Sequence, residues 1–311
     1  MPQPPTAALD TGWPPPPYQA PVPFVVTEND VRRFDGITYA TTPGYRPRLL
    51  DVLVPAADAP VPAVIWIHGG GWLEGDRRYP PPTVPVELLH GSILRAGLAL
   101  VCIDYRHSLE APFPAQLHDV KAAIRYVRHF ADIFGIDPKR IGVWGESAGG
   151  HLAALAGLTR PEGPAGEALE GGEGIPDGDT AVQAVVDWYG VSEIASLLSH
   201  PLPLTPGVEI PNPFTTLLGG VEDERGELAR TASPVTYAEG ATPPPFLLVH
   251  GTEDKLVPYN QSELLAEKLR SAGGEVTLEP VEGADHIFLG APDVTPIVTG
   301  SVAFLARHLG A

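Results

Sequence analysis

Short runs of apolar residues alternate with amphipathic segments along this chain, and their order predicts an α/β fold. The runs have the length and composition of buried strands. We predict strands at residues 31–40, 49–54, 63–67, 98–105, 139–144, 182–188, 246–250 and 276–280. Because helical segments separate many of them, we expect a mostly parallel central sheet with helices on both faces.

The clearest helical segment is residues 115–134, where apolar side chains recur at the spacing of one helical face. Further helices are predicted at residues 147–158, 263–272 and 294–309. Ligand sites in sheets of this kind lie at the carboxyl ends of the strands. Polar residues that directly follow a predicted strand are therefore the first candidates for function.

Two regions depart from the alternation. Residues 1–30 are rich in proline and predict an extended arm ahead of one domain, residues 31–311. Residues 189–241 contain the irregular stretch PLPLTPGVEIPNPF between two predicted strands. An insertion at that point is a candidate small lid over a site at the sheet edge.

The charge balance restricts the partners. Lys and Arg number 20 against 38 Asp and Glu, a net charge of -18, so phosphate backbones and anionic membranes would be repelled. We expect no nucleic-acid partner and a small-molecule substrate instead. A homodimer is compatible with the sequence.

Cysteine usage and the N-terminus bear on the compartment. The single cysteine, Cys102, lies in the apolar run LALVCIDY, so neither an intrachain disulfide nor a multi-cysteine zinc site can form. The first residues lack a basic segment followed by an apolar run, which predicts neither a signal peptide nor a membrane span. We expect a cytoplasmic protein, although a signal removed from the mature chain would leave no trace.

The segment GVWGESAGG, residues 142–150, carries the strongest chemical signal. Ser147 lies between two glycines where a predicted strand meets a predicted helix, which is the layout of a nucleophile elbow. The glycines allow a turn too tight for side chains, and the turn exposes the serine hydroxyl. The alternative is a glycine-rich strand-to-helix connection without chemistry.

A serine nucleophile needs a base, and the base needs an acceptor for its second ring nitrogen. We predict His286, in the loop GADHIF after a strand, as the base. The other histidines considered are His68, which opens a glycine run, His151 on the elbow helix, and His250 at a strand end.

The carboxylate is predicted to be Asp254, in HGTEDKLVP after the strand FLLVHG. Glu253 is its nearest rival, and Asp285 is disfavoured because its immediate neighbour is the base it would have to orient. The chain order Ser147, Asp254, His286 is the one typical of the elbow architecture.

A serine activated in this way can attack a carbonyl carbon in an acyl-transfer reaction. The carbonyl oxygen then becomes negatively charged and requires hydrogen-bond donors. The segment HGGGW offers the amides of Gly70 and Gly71, and Ala148 follows the nucleophile. A phosphate-binding loop is the competing interpretation, but neither GK[ST] nor GxGxxG follows. Aromatic residues near strand ends or in the insertion are candidate pocket walls, with core packing as the equal alternative: Trp72, Trp188, Tyr189 and Phe214.

With GESAGG, HGGGW, HGTED and GADH together, the chain resembles the hormone-sensitive-lipase-like esterases of the α/β-hydrolase fold from about Val31 onward. The stretch from DYRHSLEAPFPAQ to GESAGGHLAAL is similar to the bacterial branch that includes feruloyl and acetylxylan esterase-like carboxylesterases. The resemblance implies the same triad and oxyanion hole. It further implies a serine carboxylesterase that hydrolyses small to medium esters through an acyl-enzyme, with no metal and no cofactor.

Several alternatives stay open. The same triad in neighbouring branches cleaves acylated sugars, feruloyl esters or aryl formamides. A peptidase of the prolyl-oligopeptidase type, a lipase and a non-catalytic ligand-binding homologue are the remaining candidates. The segments that shape the pocket lie outside the motifs, so the motifs define the reaction and not the ester.

Overall fold

A nine-stranded sheet organises the part of the chain that the computed structural model describes, residues 16–163, 166–202, 211–220, 225–239 and 242–311. The strands are β1 (Val25–Val26), β2 (Arg32–Ala40), β3 (Arg48–Val54), β4 (Val61–Ile67), β5 (Ala99–Ile103), β6 (Ile136–Glu146), β7 (Val185–Trp188), β8 (Phe246–Gly251) and β9 (Val276–Val281).

The sheet has the order β1-β2-β3-β5-β4-β6-β7-β8-β9. Strands β1, β2, β3 and β5 pair antiparallel, and all pairings from β5 through β4 to β9 are parallel. The predicted mostly parallel sheet is therefore confirmed. Its parallel half brings the carboxyl ends of β4, β6 and β8 to one edge, where the residues that follow them can meet.

The helices are α1 (Val86–Arg95), α2 (Ala115–His129), α3 (Ala131–Phe134), α4 (Ala148–Leu158), α5 (Pro213–Leu217), α6 (Arg225–Thr231), α7 (Asn260–Ser271) and α8 (Thr295–Leu309). The apolar sides of α2, α4 and α7 cover one face of the sheet, and those of α1 and α8 cover the other. Helices on both faces hide the apolar strands from water, as the sequence predicted.

Two helical details differ from the prediction. The segment predicted as one helix over residues 115–134 is divided, since α2 ends at His129 and the single turn α3 follows. Helix α1 was not predicted, although its buried residues Leu89 and Ile93 lie four positions apart on one face. A flanking run of prolines, residues 80–82, obscures that short pattern in the sequence.

The arm and the insertion are only partly within the described residues. Residues 1–15 of the predicted arm, and residues 203–210, 221–224 and 240–241 of the insertion, lie outside them. The described part of the arm lies along the domain: Gln19 bonds to Thr38, and Val25–Val26 extends the sheet. The described insertion contains several short helices, including α5 and α6, joined by irregular segments.

Buried ion pairs hold the DYRH segment, residues 104–107, against the rest of the domain. Asp104 binds the Arg77 guanidinium at 2.9 Å, and Arg106 binds Asp119 of α2 at 2.8 Å. Each buried charge has an opposite partner, as the low dielectric of the interior requires. These pairs attach the loops after β4 and β5 to the body of the domain.

No helix among the described residues is long and apolar enough to span a membrane. The same residues contain no cluster of three or more His, Cys, Asp or Glu side chains placed to hold a metal ion.

Candidate active site

Ser147 lies at a sharp turn between β6 and α4. Its backbone has φ 54° and ψ -118°, a conformation that L-residues rarely adopt and that the surrounding structure must hold in place. A Cβ at Gly145 would lie 2.0 Å from the Gly149 carbonyl oxygen, and one at Gly149 would lie 2.0 Å from that of Ile67. Only glycine fits at both positions, so the GESAGG segment forms a nucleophile elbow.

The structure brings the three predicted triad residues into one hydrogen-bonded chain. Ser147 Oγ lies 3.0 Å from Nε2 of His286, and Nδ1 of His286 lies 2.7 Å from Oδ2 of Asp254. Because a carboxylate can only accept, His286 carries its proton on Nδ1 and presents a free Nε2 to the serine. This is the geometry that a general base requires.

Asp254 is buried and heavily hydrogen-bonded. Its Oδ1 accepts from the amides of Leu256 at 2.9 Å and Val257 at 2.8 Å. Burial opposes ionisation, but hydrogen bonds from His250 and His286 outweigh it and hold the pKa of Asp254 well below its usual range. The carboxylate therefore stays charged wherever His286 could act as a base.

The rival carboxylates lie elsewhere. Glu253 is exposed. Asp285 pairs with the Lys255 ammonium at 2.5 Å and accepts from the His286 backbone amide at 2.8 Å, so it caps the loop that carries the base.

The rival histidines are buried. His68 stacks on Tyr105 with ring centroids 4.4 Å apart, and burial lowers the pKa of its imidazole to about 4. His151 bonds to the Ala232 carbonyl behind the elbow helix. His250 lies beside Asp254, with Nε2 3.2 Å from Oδ2.

The HGGGW loop, which follows β4, lines the cavity beside Ser147. Gly70 and Gly71 have φ values of 101° and 59°, so the loop needs glycine at these positions. Within the described residues, neither amide donates to a protein acceptor. Both glycines line the same cavity as Ser147, which leaves their N–H groups available to a substrate oxygen.

Glu146 ties this loop to the elbow. The Gly69 amide donates to Oε1 of Glu146 at 2.7 Å. Burial raises the pKa of the Glu146 carboxyl, with His286 and the Gly69 amide opposing that shift. Sequence reasoning missed Glu146, although its place between Gly145 and Ser147 in the motif was a visible signal.

A cavity of about 760 Å³ opens above Ser147 and His286. Its walls are largely apolar side chains from separate segments of the chain: Leu73, Leu109, Leu202, Pro213, Leu256 and Ile287. Glu74, Asp76 and Tyr79 add polar groups along one side, and Tyr79 is 64% exposed. A volume of this size holds a small to medium ligand.

The four aromatic residues predicted as pocket walls do not line this cavity. All four are 2% exposed or less. Trp72 packs on His151 and Phe214. Trp188 of β7 packs on Trp144 of β6. Tyr189 lies against the His286 ring at 4.9 Å. The position of a residue near a strand end does not determine whether its side chain faces the cavity or the core. The prediction that these four residues form pocket walls is therefore wrong, and all four belong to the core.

The parallel sheet, with an elbow serine at the carboxyl end of β6, defines an α/β-hydrolase fold. The profile of the BD-FAE family matches residues 50–269, so the chain belongs to that family.

Relatives and solved structures agree with this assignment. Esterase LipQ of Mycobacterium tuberculosis is 34% identical over 252 residues, which cover 79% of this chain and 55% of LipQ. A truncated form of a carbohydrate esterase from gut microbiota superposes with a TM-score of 0.75 at 28% identity, covering 95% of this chain and 98% of that one. A bifunctional GH43-CE protein of Bacteroides eggerthii gives 0.73 at 31% identity, covering 89% and 38%. The chain spans about half the length of the curated relatives it matches.

Proposed function

We propose that this protein hydrolyses small to medium carboxylic esters, with Ser147 as nucleophile, His286 as general base and acid, and Asp254 as the residue that orients the base. The observation that carries the proposal is the hydrogen-bonded chain from Ser147 through His286 to Asp254, with contacts of 3.0 and 2.7 Å at the floor of the cavity. Esterase relatives in the same family support it.

In the acylation step, Ser147 Oγ attacks the ester carbonyl carbon while Nε2 of His286 takes the hydroxyl proton. The carbonyl oxygen becomes an oxyanion that accepts hydrogen bonds from the amides of Gly70, Gly71 and Ala148. The tetrahedral intermediate then expels the alcohol, to which His286 returns the proton. The products of this step are a free alcohol and an acyl-enzyme on Ser147.

In the deacylation step, a water molecule takes the place of the alcohol. His286 removes a proton from the water, and the hydroxide oxygen attacks the acyl carbon. Collapse of the second intermediate releases the carboxylic acid and returns the proton from His286 to Ser147. The buried, charged Asp254 stabilises the imidazolium in both steps.

The test is the Ser147→Ala variant with p-nitrophenyl acetate as substrate. We expect the wild type to turn over this ester and to be labelled stoichiometrically by a fluorophosphonate, and the variant to lose labelling and at least about 10³-fold in kcat. A wild type without either property would support the non-catalytic alternative. A variant that retains wild-type turnover would contradict the assignment of Ser147.

A second candidate, an ester of a sugar alcohol, is favoured by one observation. Tyr79, which is 64% exposed, lines the cavity together with Glu74 and Asp76. The Arg78 guanidinium lies 5.6 Å from the centroid of the Tyr79 ring and pairs with Asp76 at 2.7 Å. An aromatic face with neighbouring carboxylates suits a sugar ring and its hydroxyl groups. Two structural neighbours are described as a carbohydrate esterase and as a GH43-CE protein.

The comparison of acetylated xylo-oligosaccharides with p-nitrophenyl acetate tests this candidate. If Tyr79 stacks on a sugar, Tyr79→Ala should raise KM about tenfold for the sugar ester and leave KM for p-nitrophenyl acetate unchanged. Equal effects on both substrates, or no turnover of the sugar ester by the wild type, would contradict it.

A further inference from the structure

A second histidine contacts the carboxylate of the triad. His250, at the end of β8, is fully buried, and its Nε2 lies 3.2 Å from Oδ2 of Asp254. That oxygen is also the one to which His286 is bonded at 2.7 Å. Two imidazole rings therefore meet at a single carboxylate oxygen, and the esterase mechanism described above uses only one of them.

The surroundings of His250 determine its tautomer. Its Nε2 lies 2.8 Å from the Val257 carbonyl oxygen as well as near Asp254. Both groups can only accept, so Nε2 carries the proton. Nδ1 lies 2.7 Å from the hydroxyl of Ser262 on α7, which is fully buried and can donate to it. A neutral ring with its proton on Nε2 satisfies every contact.

We infer that His250 is a positioning residue of the triad, which fixes Asp254 in its rotamer and shares the carboxylate charge that faces His286. The inference rests on the proposed esterase function. Asp254 accepts two amides on Oδ1 and the His286 ring on Oδ2, and Nε2 of His250, which is hydrogen-bonded to the Val257 carbonyl, lies 3.2 Å from the same Oδ2. Each donor withdraws negative charge from the carboxylate, so the N–H of His250 weakens the attraction of Asp254 for the imidazolium form of His286.

Loss of the His250 donor should therefore change the pH range over which His286 can act as a base. Without the His250 donor, Asp254 holds the imidazolium of His286 more tightly, and a protonated His286 cannot act as a base. The acidic limb of the kcat/KM profile should then move to higher pH. The other charged or titratable groups around the two rings stay in place in such a variant: Glu146, Tyr189, Tyr259, Asp285 and, through Asp285, Lys255.

The experiment compares His250→Leu with His250→Gln. The glutamine amide can place an N–H near the position of Nε2, whereas leucine cannot donate. We expect His250→Leu to shift the acidic limb upward by about half a pH unit, which lowers kcat/KM at pH 7 by up to about threefold, and His250→Gln to restore the wild-type limb. His90→Leu is the matched control, because it removes a half-buried histidine of α1 outside the cavity lining.

Two outcomes would overturn the inference. The first is an acidic limb of the kcat/KM profile that does not move in His250→Leu. The second is a limb that moves equally in His250→Gln. Either result would show that His250 only packs in the core. Wild-type labelling by a fluorophosphonate is measured first. If labelling and turnover are absent, the esterase function fails, whereas normal labelling with an unshifted limb contradicts the role of His250 alone.

A measurement on the wild type covers the case in which His250→Leu does not fold. Nitrogen-15 NMR of the histidine rings distinguishes a proton on Nε2 from one on Nδ1, and a neutral ring from a charged one. The inference requires a neutral His250 with its proton on Nε2. A proton on Nδ1 alone, or on both nitrogens, would contradict it.

Discussion

The Gly69 amide donates a 2.7 Å hydrogen bond to Oε1 of Glu146, and this contact joins the loop of Gly70 and Gly71 to the end of β6, next to Ser147. The two segments are 77 residues apart in the chain. Because this hydrogen bond helps to set the distance from Ser147 to the amides of Gly70 and Gly71, we expect Glu146 to affect catalysis without reacting.

We therefore expect Glu146→Ala to lower kcat for p-nitrophenyl acetate by about 10- to 100-fold with little change in KM, since a displaced donor stabilises the oxyanion less. Glu146→Gln keeps an acceptor oxygen and should lose much less. Steady-state kinetics of the two variants distinguishes these results, and equal losses would show that the charge and not the acceptor matters.

The choice of triad carboxylate is directly testable. Asp254→Asn should lower kcat by about 10⁴-fold, because the amide no longer favours the correct tautomer of His286 or stabilises its imidazolium. Glu253→Gln, on the exposed neighbour, should stay within about twofold of the wild type. Kinetics after confirmation of native circular dichroism is the measurement, and a large loss in Glu253→Gln would reverse the assignment.

The elbow should tolerate no side chain at Gly149. A Cβ there would lie 2.0 Å from the backbone oxygen of Ile67 and 2.6 Å from that of His68, and backbone atoms cannot rotate away as a side chain can. We expect Gly149→Ala to cost about 4 kcal/mol or more in the free energy of unfolding.

Gly226 provides the matched control, since a Cβ at this position in α6 meets no atom of the described residues within 4 Å. Gly226→Ala should be neutral or stabilise by up to about 1 kcal/mol. Denaturant unfolding compares the two variants, and similar stabilities would show that the turn is less constrained than the geometry indicates.

Asp187 should make stability depend on pH. Burial raises the pKa of this carboxyl to about 7, with a weaker opposing contribution from the Gly190 amide at 2.8 Å. The unfolded chain releases the proton near pH 4 and the folded protein near pH 7, so the folded state binds more protons in between. The contribution of Asp187 to stability therefore falls as pH rises through that window, by about 4 kcal/mol in total.

Asp187→Asn removes this ionisation and keeps an acceptor for Gly190. Its stability relative to the wild type should increase from pH 5 to pH 8 by about 2.5 kcal/mol, because about a third of the total change lies below pH 5. Urea unfolding of both proteins at several pH values measures the difference. Parallel pH profiles would show that Asp187 is already ionised at pH 5 in the folded protein.

The sequence by itself determined the order of most strands and of the helices that flank the site, and the identity of the candidate nucleophile, base and triad carboxylate. These follow from local patterns: apolar runs, the glycines around Ser147, and polar residues placed directly after strands. Each depends on backbone geometry within a few residues, so the linear order of the chain carries the information. The mostly parallel α/β fold was predicted correctly for the same reason.

Tertiary structure alone decided which side chains face the cavity. Trp188 and Tyr189 follow one another at a strand end, yet both pack inside, while the cavity walls come from leucines and prolines far apart in the chain. The roles of Glu146 and His250 also depend on contacts with Gly69 and Asp254 that form only when separate loops meet. A hydrogen bond between distant segments requires both backbones to be in place, and no local pattern encodes that distance.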